Sequence, residues 1–149
     1  MSGHTRRGFT LIEILMVVTL VGILFTVAIP FFRTATSKQS VRSAMAAISA
    51  MHARAKSIAV QRARTTQLVL DAGAGTAVIL STQVGGAVDT IGRVEDMVGR
   101  FGVTFSTTQA TLSFSPRGIG TSTSGTTIIV TKSGFSDTLT VSAAGRLMQ

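Results

Sequence analysis

Residues 9–29 form an unbroken apolar run of 21 residues with one ionisable side chain, Glu13. As an α-helix rising 1.5 Å per residue the run is roughly 30 Å long, the hydrocarbon thickness of a bilayer. An apolar surface of that length has to be covered by lipid or by other helices. The eight residues ahead of it are short and basic, ending Arg6-Arg7-Gly8. Such a flank keeps the N-terminus cytoplasmic and predicts that the rest of the chain lies across the membrane. Glu13 needs a reason, because a carboxylate costs on the order of 2.5–3.5 kcal/mol at mid-bilayer and usually marks a functional partner. Cleavage between Gly8 and Phe9 would create an α-amino group four residues ahead of Glu13, and the cationic terminus of a neighbouring copy could then neutralise it.

Three other readings compete. A cleaved secretory signal has an apolar region of about 7–15 residues and a small-x-small site; this run is longer, and Ala28-Ile29-Pro30 is a poor site. A twin-arginine address is superficially matched by Thr5-Arg6-Arg7-Gly8-Phe9, but Glu13 speaks against it. An ordinary membrane anchor requires only low charge.

The segment Gly8-Phe9-Thr10-Leu11-Ile12-Glu13, basic before and apolar after, resembles the class III leader and N-methylation motif of type IV pilins and type II secretion pseudopilins. The resemblance implies that prepilin peptidase cuts after Gly8, that Phe9 becomes the N-methylated terminus, and that Glu13 serves filament assembly. Pro30 matches the proline at which many such helices bend or melt.

Beyond Pro30 the helical pattern continues. Val41, Ala44, Met45, Ile48, Met51, Ala55, Ile58 and Ala59 recur at three- and four-residue spacing among cationic side chains, and this stripe is expected to lie on a sheet. After Arg64 the period shortens. Strands are predicted at residues 66–70, 77–81, 103–106, 111–115, 126–131 and 138–142, with a mobile Gly/Ser/Thr-rich loop at 118–125. The expected organisation is a leader (1–8), a transmembrane assembly helix (9–30), an amphipathic continuation (31–64) and a β-rich domain (65–149). This is an α+β, pilin-like fold: a long N-terminal helix, transmembrane in its first half, packed on a C-terminal antiparallel β-domain.

This second half resembles the GspH/FimT family, through Ala53-Arg54-Ala55-Lys56-Ser57-Ile58-Ala59, Phe114-Ser115-Pro116-Arg117-Gly118 and Thr140-Val141-Ser142-Ala143-Ala144-Gly145-Arg146. The resemblance implies a minor pseudopilin of a type II secretion pseudopilus or a minor pilin of a type IV pilus. Its partners would be other pseudopilins or pilins, prepilin peptidase and inner-membrane lipid, with the C-terminal domain periplasmic. The shared N-terminal physics leaves the two machines unseparated.

Chemistry is poorly provided for. Cysteine is absent, His4 would leave with the leader, and His52 has no evident nucleophile or metal partner, so no enzyme activity, metal or cofactor is expected. The net charge of +8 falls to +7 when Arg6, Arg7 and Glu13 are set aside, which permits anionic partners. Some FimT-type members are associated with DNA uptake through a C-terminal Gly-Arg-x-Arg pattern. Here Gly145-Arg146-Leu147-Met148 lacks the second arginine. Arg117, Lys132 and Arg146 are the candidate phosphate contacts if they gather on one face; a solvated basic face, or a contact with an acidic neighbouring subunit, is the favoured reading.

Overall fold

The computed structural model describes residues 9–148. The first element, helix α1, is Leu11–Arg62, and the chain divides into two compact units, Met1–Thr36 and Ser37–Gln149. In the first unit the helix begins where Thr10 caps it: the Thr10 hydroxyl accepts the Glu13 backbone N–H at 3.3 Å, half of the Thr-x-x-Glu capping box. The large apolar side chains from Phe9 to Phe32 are exposed. An apolar window of mean hydropathy 2.6 is buried nowhere inside the molecule, so the helix is long and apolar enough to cross a membrane. Thr19 and Thr26 donate their hydroxyls to carbonyls of the preceding turn, which removes the cost of polar groups on an apolar surface. Helical structure runs through Pro30, which lacks the N–H that would bond the turn before it.

The second unit is built from two antiparallel sheets and the latter part of α1. Strands β1 (Thr66–Asp71), β2 (Thr76–Thr82), β3 (Val88–Asp96) and β5 (Thr111–Phe114) form one sheet in the order β3-β2-β1-β5. Strands β4 (Thr104–Thr107), β6 (Thr126–Lys132), β7 (Phe135–Val141) and β8 (Leu147–Met148) form the other, in the order β4-β6-β7-β8; a short helix α2 (Met97–Phe101) links β3 to β4. The alternation in β1, β2 and β6 points Leu68, Leu70, Ala77, Ile79, Ile128 and Val130 inward. They meet Val41, Ala44, Met45, Ile48, Met51, Ala55, Ile58 and Ala59 of α1 in one core cluster.

The α+β, pilin-like architecture agrees with the sequence reading, with local differences. The helix stops at Arg62 rather than Arg64: Ala63 takes a positive φ of 50°, and the Arg64 N–H bonds the Ala59 carbonyl at 3.1 Å. Strand β3 was not expected. Its Glu95 pairs with Ala77 and its Ile91 with Ile79, so three residues of β3, Gly92, Arg93 and Val94, oppose the single Val78 of β2, and this bulge erases the two-residue period. Strand β7 starts at Phe135 rather than 138, after the tight turn Ser133-Gly134 with both φ positive. The 118–125 segment is irregular but tied down, the Gly120 N–H to the Ala144 carbonyl at 3.0 Å and the Thr121 N–H to the Ser113 carbonyl at 2.9 Å.

Candidate functional site

Two regions carry the candidate residues. At the start of α1, Phe9 is 80% exposed and Glu13 lies exposed in the first helical turn. A negative side chain there is favoured by the helix dipole, by about 0.3–1 kcal/mol. Gly8 and the rest of the leader lie outside the described residues.

The second region is the basic surface of the β-domain, where the three candidates separate. Lys132 is half-buried, and its ammonium donates to the Ser40 hydroxyl at 2.9 Å and to the Phe101 carbonyl at 2.7 Å, tying α1, β6 and α2 together. It ends β6, six residues from Thr126, which pairs with Val141. At about 3.3 Å per residue that is roughly 20 Å along the strand from the end where Arg146 lies. Lys132 therefore does not join Arg117 and Arg146.

Those two arginines do come to the same edge. Ser115-Pro116-Arg117-Gly118 is a β-turn closed by the Gly118 N–H to the Ser115 carbonyl at 2.8 Å, with proline and glycine where a type I turn favours them. Ser142-Ala143-Ala144-Gly145 turns β7 into β8, closed by the Gly145 N–H to the Ser142 carbonyl at 2.8 Å. Gly120, two residues past the first turn, packs on the second. A Cβ on Gly145, whose φ is +77°, would fall 3.0 Å from the Gly120 nitrogen and 3.1 Å from Phe114 Cε1; one on Gly118 would fall 2.8 Å from Val60 Cγ2 and 3.4 Å from Lys56 Cγ. Glycine is needed at both places because backbone or side chain already occupies the space.

Lys56 and Arg64 belong to this edge and were not singled out from the sequence. Lys56 lies against Gly118. Arg64 precedes β1, whose Thr66 pairs with Phe114 at the end of β5, so it reaches the same end of the sheet as Pro116 and Arg117. Among the described residues the ion pairs are Arg62–Asp89 at 3.5 Å and Arg100–Glu95 at 2.9 Å, and neither includes these four cations.

Beneath the surface, His52 is 5% exposed and packs edge-on against Phe114, with ring centroids 5.2 Å apart. Its Nε2 is buried without a protein partner. Burial, and secondarily the Lys56 charge, hold its pKa below the ordinary 6.5, with a backbone hydrogen bond to Gly145 opposing them. Among the described residues no three His, Cys, Asp or Glu side chains converge as a metal site.

Comparison with known proteins matches both regions. Residues 3–29 match the family model described as prokaryotic N-terminal methylation motif, and residues 44–145 match the one described as type II transport protein GspH. A curated fimbrial protein of Pseudomonas aeruginosa is 40% identical over 52 residues, 35% of this chain and 34% of the relative. The chain thus aligns with about a third of that relative's length. Crystal structures of the Pseudomonas aeruginosa type IV minor pilin FimU share the fold. One aligns with a TM-score of 0.61 at 21% identity, covering 74% of this chain and 88% of FimU; a second crystal form gives 0.57 at 22%, covering 72% and 90%.

Proposed function

The chain belongs to the family described as type II transport protein GspH, and from that premise we propose that it is a minor pseudopilin, a non-enzymatic subunit of a type II secretion pseudopilus. In this reading prepilin peptidase removes residues 1–8, Phe9 becomes the methylated terminus, and the apolar helix holds the subunit in the inner membrane with its β-domain in the periplasm. Pro30 is the point at which the helix yields during extraction into the filament. The observation that carries the reading is the exposed apolar first half of α1, with a lone carboxylate in its first turn, none of whose residues belongs to the core that the second half of the helix forms with the two sheets. Such a helix is covered by lipid before assembly and by neighbouring helices after it.

A second reading, a minor pilin of a type IV pilus, is favoured by the fimbrial relative and by the FimU likeness, which speaks for fold. Affinity purification of the mature chain from membranes separates the two: co-purifying secretion pseudopilins support the first, and co-purifying pilus subunits support the second.

A further inference from the structure

The basic edge of the β-domain combines two features that a merely solvated face does not need. It concentrates the charges of Lys56, Arg64, Arg117 and Arg146, none of which takes part in an ion pair among the described residues; the acid at this end of the sheet, Asp89, reached from Thr66 through Ser81, is held by Arg62 at 3.5 Å. Asp71 lies at the opposite end of β1, and Asp137 pairs with Val130, four strand residues from Val141 and so about 13 Å along the strand. At its centre it also exposes aliphatic surface: Ile119 is 53% exposed and Val60 52%, and the Gly118 backbone between them is pressed against Val60.

We propose that this edge docks an extended segment of a neighbouring filament subunit that carries carboxylates on either side of a branched aliphatic side chain. Guanidinium forks match carboxylates bidentately, and an aliphatic centre inside a charged rim is the anatomy of a protein interface. A phosphate polymer would use the cations and leave Ile119 and Val60 uncovered, since phosphate contacts are made by charged and hydrogen-bonding groups and not by aliphatic side chains. The chain also has neither Trp nor Tyr for stacking bases. The proposal rests on the filament reading above. Subunits joined through their N-terminal helices hold their β-domains at high effective concentration, so a contact of modest intrinsic affinity is occupied.

The test uses the full-length chain in its own cells, with a photo-crosslinking residue at Ile119 and, separately, at Ile14 on the exposed helix. The expected adduct at Ile119 joins a peptide of another filament subunit that contains Asp or Glu beside Ile, Leu or Val. Raising ionic strength before irradiation lowers its yield, and Arg117→Glu with Arg146→Glu lowers it about tenfold while the Ile14 adduct persists. The salt series needs no variant, so a misfolded double mutant does not decide the result. A nuclease-sensitive adduct overturns the proposal in favour of nucleic acid. An Ile14 adduct without an Ile119 adduct overturns it and leaves the filament reading intact. Loss of both adducts, with the chain excluded from filaments, overturns both.

Discussion

The Thr10 hydroxyl accepts the Glu13 backbone N–H at 3.3 Å, so the residue that starts the helix and the residue that carries its only charge before Arg33 share one turn. The cap fixes where Glu13 sits. If Glu13 pairs with the terminal amine of a neighbouring Phe9, Glu13→Val will enter the membrane at least as well as wild type, since it removes a desolvation cost. Its amount in sheared filaments will fall. Quantitative blots of membrane and filament fractions check this, and equal incorporation refutes the role.

Lys132 and Arg117 are both cations on the β-domain, but only Lys132 is engaged. Lys132→Met removes its bonds to Ser40 and Phe101 and leaves a carbonyl short of a donor, which will destabilise the domain by about 1–3 kcal/mol. Arg117→Ala, on an exposed turn, will change stability by no more than about 0.5 kcal/mol. Denaturant midpoints of the detergent-extracted protein check both.

His52 predicts the pH response of the same fold. Its folded-state pKa lies below the unfolded value of 6.5, so the unfolded chain takes up the proton first as pH falls. Stability is therefore fully present above about pH 6.5 and declines as pH drops below it towards the folded value. His52→Gln will flatten this part of the profile. Lys56→Ala will shrink the loss, because it removes one of the causes that depress the folded pKa. Melting temperatures between pH 5 and 8 check the sign.

The sequence displayed most of this architecture because its periods are plain: an apolar run with a single charge, then a small-residue stripe, then alternating strands. It concealed β3, where Gly92 sits in a bulge and only Ile91 is buried, and β8, which at two residues is too short to show a period. The Ser133-Gly134 turn was a readable hairpin signal that extends β7 back to Phe135. The basic edge was half legible. Arg117 and Arg146 follow turn residues that advertise loops, whereas Lys56 and Arg64 join them only through the Thr66–Phe114 pairing and the close approach at Gly118, which are long-range facts. Lys132 looked equivalent to the arginines because sequence does not show which end of a strand meets a helix.

The most direct test of the filament assignment is the intact mass of this chain in purified, sheared filaments. The account predicts one species that begins at Phe9, lacks residues 1–8 and carries a single added methyl group. Recovery of the chain only in membranes with its leader intact, or with a cut beyond Pro30, would contradict it.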